Sequence, residues 1–220
     1  MKKLIGVMVS SVLIAGLVLG GCSSQKLFHK SVVYSLDKTE VDSFTSMDLD
    51  IAVAKIDIIP TGDEFAIEYS VMNQNIEYSV KNNVLKVKAE EIDEVNEVKE
   101  SYVKIYIPED YEFEDIECSC EVGSIYLNDL TADNISIDSS VGNVELQGVV
   151  VNKELKVSNN VGNTKIDLEN DDFSYSVKSD LGKVNIKGED FSGFDVDKEF
   201  KADNGPMVTI ESNTGDVKLA

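Results

Sequence analysis

The sequence predicts an all-β chain: a parallel β-solenoid, that is, a single-chain β-helix with ~20-residue repeats and a short antiparallel hairpin region at its N-terminal end. Three observations lead there. Apolar residues recur at every second position through most of the C-terminal half, the signature of strands with one buried face. A Val-Gly, Leu-Gly or Thr-Gly pair returns at Gly123, Gly142, Gly162, Gly182 and Gly215, at intervals of 19, 20, 20 and 33 residues. The alternation also changes phase around each of these glycines. Inward positions are expected at 135, 137, 139 and 141 before Gly142, and at 144 and 146 after it. An extended chain cannot shift phase by one residue without a bulge or corner, and glycine supplies the backbone freedom a corner needs.

Met1-Lys2-Lys3 is a basic start, and Leu4 to Leu19 carries no charge. Small residues then precede a cysteine, in Leu19-Gly20-Gly21-Cys22, as at a secretory cleavage point. That tetrapeptide resembles the lipobox of bacterial lipoproteins. The resemblance implies diacylglycerol on the Cys22 thiol and cleavage before it. Residues 1–21 are then a lipoprotein signal peptide, and 22–40 are the lipidated cysteine and a tether. An uncleaved membrane anchor is the alternative; the glycines and the lipobox argue against it. Both readings place the body outside the cytoplasm, anchored to a bacterial cell membrane. His29, the single histidine, falls in the tether with nothing nearby to complete a ligand set.

The solenoid domain is expected over 41–220. Met47 to Pro60 is a degenerate copy of the repeat, with Ala54 where a glycine would stand. Residues 65–107 read as short strands joined by Asn82-Asn83 and by an acidic stretch from Glu90 to Glu100. They are expected to form antiparallel hairpins that cap the first end, because an open sheet edge invites aggregation. Regular repeats follow over 116–219. Stacked repeats place equivalent residues ~4.8 Å apart. Cys120, Ser139, Asn159, Ser179 and Ser212 should then share one inward column. The long last interval, Lys187 to Met207, holds Phe191, Phe194 and Phe200 amid acids. Its aromatics are expected to cap the final rung; a binding loop is the other reading.

The chain has 41 Asp and Glu against 20 basic residues, all of them lysine, for a net charge of −21. Nucleic-acid binding by phosphate neutralisation is excluded on charge. Without arginine there is no bidentate clamp for phosphate or carboxylate. Charge of this size repels anionic lipid and wall polymers, and favours a solvated body held off the surface.

The Val/Leu-Gly-x-Val-x-Leu/Ile repeats, with the segment ending at Pro60 and the strand Lys104-Ile105-Tyr106-Ile107-Pro108, resemble the bacterial "putative adhesin" β-solenoid family over roughly 41–220. This is a domain-of-unknown-function family of envelope proteins. The resemblance implies an adhesin-like surface role, or an accessory role in envelope-stress signalling. It brings no catalytic residues with it.

Each candidate chemistry has a plainer reading. Cys118 and Cys120 lie two apart on the inward face, with Cα atoms ~6.5–7 Å apart in an extended strand, so buried free thiols are favoured over a strained disulfide. Two cysteines supply half a zinc site and no second pair exists. Asp167, Glu169, Asp171 and Asp172, and Glu189, Asp190, Asp195 and Asp197, gather around two turns. They match no calcium-binding loop motif and read as solvated surface. No metal or cofactor is expected, and no small-molecule substrate is identified. A carbohydrate-active β-helix enzyme is the rival class, yet no carboxylate pair stands out and there is no tryptophan for sugar stacking. The sequence therefore points to a non-catalytic, lipid-anchored module that binds or scaffolds an envelope protein or cell-wall component.

Overall fold

A computed structural model describes residues 33–72, 74–91 and 101–220. Cys22, the signal segment, His29 and positions 92–100 of the acidic stretch lie outside the described residues. Every regular element among the described residues is a strand.

Alternation of apolar and polar residues makes each segment a strand, and the stacking of those strands makes the core. The first coil is β2 (Ser46–Val53) and β3 (Lys55–Pro60), counting β1 (Val33–Glu40) before it. Next come the antiparallel elements β4 (Ala66–Met72) and β5 (Gln74–Lys81), then β6 (Val84–Glu91) and β7 (Tyr102–Ile107). Coils then follow from β8 (Glu112–Val122) with β9 (Ile125–Asn128), and β10 (Thr131–Val141) with the first part of β11 (Val144–Val161). The second part of β11 continues into β12 (Thr164–Leu168). The chain ends with β13 (Ser174–Ile186), β14 (Glu189–Phe200), β15 (Met207–Thr214) and β16 (Val217–Leu219).

Each coil contributes one strand to each of two faces, joined at a corner. On the first face Leu49, Cys118, Ile137, Val157, Ile210 and Val177 stack in register. On the second, Ile58, Leu127, Leu146, Ile166, Leu219 and Ile186 do the same. All twelve are buried. Parallel in-register stacking of like residues is what lets ~20-residue units, none of which could bury its own apolar face, share one continuous core. The inward column of Cys120, Ser139, Asn159, Ser212 and Ser179 is continuous and buried.

The order of the coils departs from the order of the chain at both ends. The last copy, β15 and β16, does not form the final rung. It sits between the second part of β11 with β12 and the earlier copy β13. The long 187–206 interval exists because the chain passes over this slot. It forms β13, turns at Lys187-Gly188, returns as β14 antiparallel along the whole of β13, and only then fills the gap. The aromatic arm therefore caps the fourth copy, not the fifth. Phe191 packs against the core, Phe200 stacks on Tyr175 with ring centres 5.6 Å apart, and Phe194 stays 80% exposed.

The N-terminal end repeats this device: antiparallel strands cap it as expected, and the difference is that they lie over a parallel rung. β6 and β7 run parallel to β2 and β3, forming a true rung outside the first coil. The antiparallel cover is β5 on β6 and β4 on β7, with β1 on β4. The Asn82-Asn83 turn, both residues at positive φ, joins β5 to β6. At the corner of the first coil, the buried amide of Gln74 accepts from the Val53 N–H at 3.1 Å and donates to its carbonyl at 2.5 Å. One side chain thus takes the place of a neighbouring backbone. Gln74→Leu should cost about 1–2 kcal/mol in a urea melt, since it strands both Val53 groups in a partly buried corner.

Candidate interaction surface

The corner is where the coil geometry is most constrained. Gly123, Gly142, Gly162, Gly215 and Gly182 all have φ between 143° and 157°. They stack in the spatial order of the coils, each facing the carbonyl of the coil before it. A Cβ on Gly142 would lie 1.6 Å from the Gly123 oxygen. Backbone bonds follow the same path, from the Gly123 N–H to Val141 O at 2.9 Å and from the Gly162 N–H to Thr214 O at 2.8 Å. A second ladder runs one residue on. Asn143 Oδ1 accepts from the Asn163 N–H at 3.0 Å, Asn163 Oδ1 from Asp216, and Asp216 Oδ1 from Lys183. Lys183 has no acceptor to offer a further coil, and β13 is the last parallel coil.

The phase change does not fall where the alternation placed it. Ser139 is buried, Ser140 and Val141 are both exposed, and Val144 is buried again. The corner begins at Ser140–Val141, one residue earlier than expected, and does so in every coil, so neighbours keep register. Val141, expected inward, therefore points to solvent at 46% exposure, and its equivalents do the same: Val122 at 47%, Val161 at 43% and Leu181 at 47%. Thr214 holds this position in the inserted coil, and Phe194 extends the row by pairing with Leu181. The result is an apolar ridge along the corner, about 24 Å from Val122 to Phe194 at the inter-strand spacing. Its sequence signal was Thr214, a polar residue at a position assigned to the core.

The first face beside the ridge is acidic. A shallow open groove of about 410 Å³ is lined by Asp48, Asp50, Glu117 and Asp138, with Ser119 and Ser136. Lys86 bonds Asp48 at 2.6 Å. On the second face Tyr106 donates to Glu68 at 2.7 Å and Lys104 lies 3.0 Å from the same carboxyl. These two partners hold Glu68 below the usual carboxylate range, Tyr106 foremost. Lys153 and then Asn152 do the same for Asp133. Both shifts run opposite to the raised pKa that a general acid needs.

The two clusters of acids around 167–172 and 189–197 are exposed. Among the described residues no group of three or more His, Cys, Asp or Glu side chains is placed to hold a metal ion. Cys118 and Cys120 are free and buried. Burial raises both thiol pKa values, for Cys120 against a smaller lowering by backbone hydrogen bonds at Ala54 and Val122; the Cys120 thiol also donates to the Ala54 carbonyl at 3.5 Å. Neither thiol should react with iodoacetamide in the native protein at pH 8, and both should react in denaturant. Native labelling within minutes would show that this stretch of β8 opens locally.

Two ladders at one corner, two lidded ends and an exposed aliphatic row define this β-solenoid. The chain belongs to the Toastrack DUF4097 family, which matches residues 44–220. Among solved structures it resembles a "putative cell adhesion protein" from Clostridium sporogenes ATCC 15579, with 18% identity and a TM-score of 0.59, over 86% of this chain and 98% of that one. A "putative adhesin" from Bacteroides fragilis NCTC 9343 matches at 10% identity and a TM-score of 0.29, over 87% and 98%. The first likeness speaks to fold alone, and the second adds no argument. No curated protein matches the sequence.

Proposed function

We propose that the protein is a non-catalytic binding or scaffold module of a bacterial cell envelope, held at the outer face of the membrane by diacylglycerol on Cys22. The ridge carries the binding reading. Exposed aliphatics aligned on a strongly acidic surface work against solubility, so a role in contact is their best account. The cell-adhesion name of the Clostridium sporogenes structure agrees with this reading, and the lowered rather than raised pKa of Glu68 and Asp133 does not suit either as a general acid. The anchoring part rests on the order of basic start, apolar run and lipobox.

The test uses cells producing the full chain. Fractionation should place the wild type with membranes, and Cys22→Ser should abolish acylation and leave it unprocessed. Labelling by radioactive palmitate on the variant would reject Cys22 as the lipid site. Purified chain is then offered to isolated cell walls and to detergent-extracted envelope proteins, with and without Ca²⁺. Saturable retention on either supports a binding module. Absence of retention on both counts against it and directs attention to polysaccharide cleavage.

A further inference from the structure

The aliphatic row is not demanded by the fold. Thr214 occupies the equivalent position in a coil packed on both sides by neighbours, so a β-branched polar residue satisfies the corner. We infer that the ridge formed by Val122, Val141, Val161, Leu181 and Phe194 docks an amphipathic helix of a partner protein, whose aliphatic stripe is flanked by lysine or arginine. This rests on the binding reading above and names the partner's chemistry.

Two observations select that occupant. The first is the state of the backbone. The corner N–H groups of Gly123, Gly142, Gly162 and Gly215 are bonded to the neighbouring coil at 2.8–2.9 Å, and those of Asn163, Asp216 and Lys183 to side chains at 2.9–3.0 Å. An extended segment laid along the ridge would find no backbone partners there, whereas a helix brings its own bonds satisfied. A ridge of ~24 Å fits about 16 helical residues at 1.5 Å each. The second is charge. Glu121, Asp180 and Asp216 are exposed beside the ridge, the acidic groove lies on the adjoining face, and the chain carries −21 overall. A second copy of this chain would bring like charge, and an acidic helix would be repelled; flanking lysines or arginines complement the surface.

The probe is a synthetic peptide of about 16 residues, made of Leu and Lys with the leucines on one helical stripe. Controls are a scrambled peptide of the same composition and a Leu–Glu peptide with the same stripe. Binding is read by anisotropy on the full chain in phosphatidylcholine nanodiscs, with empty nanodiscs subtracted. The striped Leu–Lys peptide should bind at least tenfold more tightly than either control. Val141→Ser/Val161→Ser/Leu181→Ser leaves charge and core untouched, and should weaken it at least tenfold at an unchanged melting temperature. Glu121→Gln/Asp180→Asn should weaken it severalfold at low salt and little at high salt. Equal binding of the scrambled peptide, or an unaffected triple-serine variant, overturns the inference.

The same triple variant separates this inference from the envelope-binding reading. If wild type and variant are retained equally on walls or envelope proteins, that reading stands and the ridge falls. If neither fraction retains the wild type while the striped peptide still discriminates, the ridge stands and the envelope reading falls.

Discussion

Gly142→Ala should destabilise the protein by more than 3 kcal/mol, far beyond the effect of an ordinary surface methyl group. The added carbon would sit 1.6 Å from the Gly123 carbonyl oxygen, and that oxygen belongs to a backbone held in register on both sides. The clash cannot relax by a rotamer change, so either the coils separate or the corner refolds. Gly188→Ala is the matched control. It too has positive φ, 84°, but nothing lies within 4 Å of its would-be Cβ. Its cost should be the conformational term alone, about 1–2 kcal/mol. Urea melts of the two variants separate strain in φ from contact between coils. Equal losses would mean that the glycine column is kept for turn geometry and not for close stacking.

A stop codon after Ala202 should be more damaging than the loss of an end rung. It removes β15 and β16, which lie between β11/β12 and β13/β14. Val208, Ile210, Val217 and Leu219 are buried, and each contributes about 2 kcal/mol by burial. Their sum is comparable to the whole stability of a typical domain. The β13–β14 hairpin loses its only parallel neighbour and should undock. Hydrogen exchange should show fast exchange across 174–200, and proteases should cut near 169–173, while the coils from 46 to 147 stay protected. Retained protection of 174–200 would mean that β13 can move one slot inward and close the gap.

That last alternative shows why coil order is hard to read from a repeat. Ile166 pairs with Leu219 in the structure, yet Ile186 carries the same side chain in the same phase and would fit nearly as well. Local pattern says which residues stack and leaves open which copy stacks on which. Some signals do discriminate. The residue after each corner glycine is Ser124, Asn143, Asn163 or Asp216, each with an oxygen to offer the next coil, but Lys183 in the fourth copy. Lys183 ends that ladder, in keeping with the terminal place of the fourth copy, although Lys55 stands at the same position in an inner coil and so the signal is not decisive. Ala54, a non-glycine corner among the described residues, marks the other end of the glycine column, where the Gln74 amide bonds both backbone groups of Val53.

The exposed aliphatic row was less legible still. Alternation put Val141 in the core because a phase change alone does not say at which residue the strand ends and the corner begins. The corner begins one residue early, and that residue decides whether four aliphatic side chains are buried or displayed. Composition and period pointed by themselves to an acidic all-β solenoid, with its core columns and glycine corners, since alternating strands repeated every ~20 residues around a glycine can share a core by stacking like on like. The tertiary structure alone decided the order of the coils, which coil each lid covers and the outward turn of the Val-Gly valines. Those depend on contacts between copies that are locally equivalent, and only closure of the whole stack distinguishes one from another.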